Sequence, residues 1–122
     1  MSGQRRSIRG RWRAYTTRAG RSPLADFLAD LPDQDAAELL AAMKEVSMVG
    51  LSAARHLRGD IWEVRSFSDT RGYRVLFSRE GNKGRILLAL AAFSKKTQKT
   101  PDRLLLLAER RLADWRNRGG GG

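Results

Sequence analysis

Three stretches of this 122-residue chain set cations among apolar and aromatic residues at spacings that could do chemistry. If Ile61–Phe67 is a strand, alternation puts Ile61, Glu63, Arg65 and Phe67 on one face. In Tyr73–Ser78 the same alternation puts Arg74, Leu76 and Ser78 together. The run Phe93-Ser94-Lys95-Lys96-Thr97-Gln98-Lys99-Thr100-Pro101 carries three lysines between a predicted strand end and a predicted helix start. Anion sites are common at such junctions. Cations with few acids beside them suit a phosphate whose charge grows in the transition state. The chemistry they point to is metal-free RNA cleavage. The neighbouring 2′-oxygen attacks phosphorus, the P–O5′ bond breaks, and a 2′,3′-cyclic phosphate results. One group must take the 2′-OH proton and another must protonate the leaving oxygen. Arg65, Arg74, Lys95 and Lys96 are therefore candidate catalytic residues. Arg55, Arg58, Arg71, Phe93 and Lys99 are candidate RNA contacts, Phe93 by stacking on a base.

A plainer reading competes with this one. A mid-strand arginine can snorkel or pair with a carboxylate, for example Arg65 with Glu63 or Glu80, and a lysine run can be a solvated turn. Two like charges ~6 Å apart repel by ~3 kcal/mol at an effective dielectric of about 20. A domain of this length is stable by only about 6–18 kcal/mol. If the four cations converge, the free protein holds strain that a polyanion relieves. Arg74→Ala is then expected to stabilise it modestly.

Composition removes most other chemistries. There is no cysteine, so no disulfide scaffold and no thiolate metal site. His56 is the single histidine, which makes a Ser-His-Asp triad or a His-rich metal site a poor fit. No phosphate-cradling glycine motif and no EF-hand carboxylate pattern is present. No metal and no cofactor is expected. No apolar run approaches the ~20 residues of a membrane span, and a cytoplasmic protein is the expectation. The net charge is +11 and unevenly placed. Residues 1–21 hold seven arginines and no acid, residues 22–54 one lysine against six acids, and residues 55–122 sixteen basic against seven acidic residues. Segregated positive charge implies a polyanionic partner, with nucleic acid or the ribosome leading.

The elements that must position these residues can be read in outline. Residues 1–10 read as a flexible basic arm, 11–118 as one domain and 119–122 as a flexible glycine tail. Trp12–Thr16 alternates like a first strand. Ser22-Pro23 opens a short helix, with Ser22 as N-cap and Pro23 at the first helical position. Asp33 is the predicted cap of a second helix to about Val49, with Leu39, Leu40, Met43 and Val46 as its apolar stripe. Ile61–Phe67, Tyr73–Ser78 and Arg85–Phe93 follow as a predicted antiparallel meander, with turns at Arg71-Gly72 and Glu80–Gly84. Thr100-Pro101 is a predicted cap for a last helix with Leu104, Leu107, Ala108, Leu112 and Trp115 on its stripe. The order β-α-α-β-β-β-α gives an α+β fold, a small antiparallel sheet with helices packed on one face.

Four pieces, in order, carry a family pattern: Ser22-Pro23 with Phe27 and Leu31-Pro32; His56-Leu57-Arg58-Gly59-Asp60-Ile61-Trp62-Glu63-Val64-Arg65; Tyr73-Arg74-Val75-Leu76-Phe77; and Phe93–Pro101. With Ala108 and Arg111 after them, the chain over about residues 11–116 resembles the RelE/HigB-type toxins of bacterial type II toxin–antitoxin pairs, especially the phage Gp49-like branch. The resemblance implies an mRNA endonuclease working on translating ribosomes and a cognate helix-turn-helix antitoxin. It implies phosphate stabilisation by Arg74, phosphate binding or positioning by Arg65, and charge stabilisation or leaving-group protonation by Lys95 and Lys96. Some relatives place Lys at the positions of Ile61 and Glu63, or His or Tyr near that of Ser94. The general base stays open here between Glu63 and a lysine. Two other functions remain: a ParE-like gyrase-inhibiting toxin, against which the lysine run argues, and a non-catalytic RNA- or ribosome-binding domain.

Overall fold

The computed structural model describes residues 10–67, 71–95 and 99–120. The arm over 1–9 and the last two glycines lie outside the described residues. Helix α1 (Pro23–Ala29) starts as the sequence predicts: Ser22 Oγ accepts the Ala25 N–H at 3.2 Å and Pro23 fills the first turn. Helix α2 (Asp33–Val49) starts differently. Pro32 stands at its cap position without a side-chain cap bond, and Asp33 falls inside the first turn. Asp33 and Asp35 there suit the positive end of the helix dipole. Asp35 also accepts the Tyr73 phenol at 2.6 Å, tying the start of α2 to the sheet. Leu39, Met43 and Val46 are buried, whereas Leu40 is exposed.

Five strands form one sheet in the order β1-β5-β4-β3-β2: β1 (Arg11–Ala14), β2 (Arg55–Arg58), β3 (Ile61–Phe67), β4 (Gly72–Glu80) and β5 (Ile86–Lys95). Helix α3 (Asp102–Asn117) closes the chain. The fold is α+β, and β3, β4 and β5 form the expected antiparallel meander. Three features depart from expectation. The sheet is mixed, because β1 lies parallel to β5. Helices α1 and α2 supply the long crossover that a parallel partner requires. Strand β2 is an additional element, antiparallel to β3. Helices cover both faces rather than one. Residues of α2 pack with Val64, Tyr73, Val75 and Phe77, while Leu105, Ala108, Leu112 and Trp115 of α3 pack with Ile61, Leu76 and Leu88. The cause lies in β4, buried continuously from Gly72 to Ser78. A strand buried on both faces needs cover on both.

The face under α3 holds the candidate residues Arg65 and Arg74. Here β5 bulges: Leu76 pairs with Ala91 and Phe77 with Ala89, leaving Leu90 as the extra residue. The Leu90 carbonyl accepts from Arg111 Nη1 of α3 at 2.8 Å, which docks the helix at the kink. Burial pushes the Arg111 guanidinium toward a lower pKa, and the Tyr15 ring beneath it lies 5.7 Å away. No helix among the described residues is long and apolar enough to cross a membrane.

Candidate active site

The register of β3 against β4 places Arg65 directly opposite Arg74. Directly opposed residues have Cβ atoms about 5 Å apart and share a face. On the other side of Arg74 stands Phe93 of β5. Lys95, opposite Gly72, lies on that same face about 7 Å further along the strand. Arg55 of β2 is opposite Glu63. The strand ends therefore bring Arg55, Arg65, Arg74 and Lys95 to one end of the sheet, beside the start of α3.

A single carboxylate serves this cluster among the described residues. Glu63 is 1% exposed. Its Oε1 accepts Arg65 Nε–H at 2.9 Å, and its Oε2 accepts Arg74 Nη1–H at 3.4 Å. Thr100 Oγ1 donates to the same Oε2 at 2.6 Å and accepts from Arg74 Nη1 at 3.2 Å. Arg74 is 2% exposed, one of the largest fully buried side chains. Burial works first against its charge. Glu63 supports that charge, and Arg65 and Arg55 oppose it, so the net pKa is lowered. The Arg65 side chain, at 19% exposure, is the member of the pair that reaches solvent. Lys95 is half-buried and makes no ion pair among the described residues.

The expected site residues thus divide. Arg65, Arg74 and Lys95 come together, with Glu63 as counter-ion. Lys96 lies outside the described residues. Arg55, Arg71 and Lys99 are exposed near the same end. Arg58 is engaged elsewhere: its guanidinium donates to both Glu109 oxygens, at 3.2 and 2.9 Å, across to α3. Phe93 is corrected. At 9% exposure it belongs to the core under α3, so its ring is not a free platform for a base. Glu80 is not a partner of Arg65. It is buried at the far end of the sheet, held by Arg116 at 2.7 Å and by the Ser78 hydroxyl at 2.8 Å. Glu63 is a poor general base here, since both its oxygens accept hydrogen bonds and little of it is exposed. The sequence context of Thr100 predicts a helix cap. The α3 cap position is Pro101, without a side-chain cap bond, and the Thr100 hydroxyl goes to the ion cluster. Among the described residues no group of three His, Cys, Asp or Glu is placed to hold a metal ion.

Two comparisons locate the chain among known proteins. The family described as phage-derived Gp49-like proteins matches residues 26–113. Two relatives, from two strains of Mycobacterium tuberculosis and each called "Probable endoribonuclease HigB1", are 34% identical over 110 residues, covering 88% of this chain and 86% of theirs. The match spans β2 to β5 and most of α3, the elements that carry the Glu63 cluster. The chain belongs to the phage-derived Gp49-like family, among the HigB/RelE-type toxins.

Proposed function

We propose that this chain is the RNase toxin of a toxin–antitoxin pair and cleaves mRNA on translating ribosomes, with a helix-turn-helix antitoxin as its partner. The observation that carries the reading is the cross-strand Arg65–Arg74 pair on a rigid sheet, beside Lys95 and only partly offset by Glu63, its one carboxylate partner among the described residues. The relatives named as endoribonucleases support it independently.

The arrangement suits 2′-OH attack. A phosphate docked at this end meets Arg65 and Lys95, the cations that reach solvent. As the 2′-oxygen bonds to phosphorus, charge builds on the non-bridging oxygens, and fixed cations stabilise it without reorganising. Arg74 adds its charge from beneath and acts as a positioning residue for Arg65 through Glu63. The 2′-OH proton leaves to a base and the 5′-oxygen takes a proton as the P–O5′ bond breaks; Lys95 is the nearest described group able to hold the second proton. The neighbouring Arg55, Arg71 and Lys99 extend the cationic track along the strand. Incubation with translating ribosomes and message, followed by mapping of RNA ends, tests this. Arg65→Ala is expected to slow cleavage by about 10²–10³-fold, the range for removing one preorganised charge-stabilising donor. Intact message at full ribosome occupancy, or unaltered cleavage by Arg65→Ala, overturns it. Inhibition of DNA supercoiling with intact RNA assigns the chain to the gyrase-directed class instead.

A further inference from the structure

Thr100 precedes Pro101 and Asp102 in a sequence context that normally makes it a helix cap. Its hydroxyl does not bond to the first turn of α3. It reaches back 37 residues to Glu63 and lies with it in the interior, at 7% exposure. The hydrogen-bond directions follow from the groups. Arginine only donates, so Thr100 Oγ1 accepts from Arg74 and its own proton goes to Glu63 Oε2. Glu63 Oε2 is thereby fixed, and the carboxylate cannot turn. Its other oxygen, Oε1, is then held facing Arg65 Nε. A valine would fill the same space, so only the bridge requires the hydroxyl.

We propose that Thr100 is a positioning residue of the cationic site: through Glu63 it holds the Arg65 and Arg74 guanidiniums in register for a substrate phosphate. This rests on the RNA-cleavage reading for what the arginines meet. Thr100→Val removes the shorter of the two hydrogen bonds to Glu63 Oε2, leaving only the 3.4 Å bond from Arg74, and takes an acceptor from Arg74. Thr100→Ser keeps both bonds.

The test measures two things in wild type, Thr100→Val and Thr100→Ser. One is turnover on message bound to translating ribosomes. The other is the salt dependence of binding to an uncleavable 2′-O-methyl oligonucleotide. Thr100→Val is expected to lower kcat about 10- to 100-fold, as small misplacements of reacting groups do, with KM within about threefold. It should also lower the slope of log affinity against log salt by about 0.7, the worth of one single-strand phosphate contact. Thr100→Ser should restore both. Equal losses in Val and Ser, or a Val variant with wild-type kcat and slope, overturn the proposal. If the wild type binds but does not cleave, the nuclease reading falls, and the slope still decides for or against Thr100. If it does not bind, the Thr100 proposal falls, while cleavage of ribosome-bound message still decides the nuclease reading.

Discussion

Arg74→Ala should weaken the fold, although charge alone suggests the opposite. Counted as cations only, Arg65 and Arg74 repel by ~3 kcal/mol at ~6 Å and an effective dielectric of about 20, so removing one would help. Glu63 reverses the sign. At 3.4 Å it attracts Arg74 by about 5 kcal/mol on the same scale. The Thr100 bond adds about 1 kcal/mol more. Breaking a buried pair by deleting one partner typically costs 3–5 kcal/mol. Glu63 keeps Arg65 and Thr100, which puts the expected loss near the lower end, about 3 kcal/mol. For a chain of this length that is a fall in Tm of about 10 °C. Urea unfolding followed by the fluorescence of Trp12, Trp62 and Trp115 reads it directly. The midpoint should drop with the slope unchanged. The loss should persist in 1 M salt, because the pair is buried and weakly screened. In a double-mutant cycle, Glu63→Gln with Arg74→Ala should cost less than the two single changes summed. An unchanged or raised midpoint for Arg74→Ala would refute the reasoning and show that repulsion dominates the cluster.

Other outcomes follow from the same contacts. Phe93→Ala should cost about 3–5 kcal/mol in chemical denaturation, as expected for a buried ring; a loss below about 1 kcal/mol would return Phe93 to the surface. Burial pushes the Glu80 carboxyl up, but the Arg116 fork and the Ser78 hydroxyl more than offset this and hold it below the usual range. Its contribution is therefore complete above the ordinary glutamate value of about 4.3 and is lost as pH falls through the lower folded value. Stability measured against pH should show a shallower acid limb below about pH 4.3 in Arg116→Ala than in wild type. Arg58→Ala, which breaks a half-exposed pair with Glu109, should leave the unfolding midpoint close to that of the wild type, and the RNA-binding salt slope should stay within error; a slope reduced by about 0.7 would place Arg58 on the RNA.

Much of this frame was legible in the sequence, and what was not has physical causes. Glu63-x-Arg65 on one strand and Arg74 on the next were readable from alternation alone, but the register that sets the two arginines opposite each other was not. Strand β2 is only Arg-His-Leu-Arg, too short for a periodic signal, and reaches β3 through a tight turn at Gly59, whose φ is +53°. The parallel pairing of β1 with β5 is a long-range choice that no local pattern encodes. The continuous burial of β4 explains the second helical layer, and Arg74 and Ser78 on that strand are buried through their own partners. Thr100 was misread for a related reason. Ser22-Pro23 and Thr100-Pro101 look alike, and only the nearness of Glu63, 37 positions away, diverts the second hydroxyl from its helix.

The central claim is that a phosphate docks against Arg65 and Lys95 and is cleaved by its neighbouring 2′-OH. The most direct measurement is the chemistry of the RNA ends left by the purified protein on ribosome-bound message. Expected are 2′,3′-cyclic phosphate and 5′-hydroxyl ends, with a large loss of cleavage in Arg65→Ala. Ends bearing 3′-hydroxyl and 5′-phosphate, or wild-type cleavage by Arg65→Ala, would contradict it.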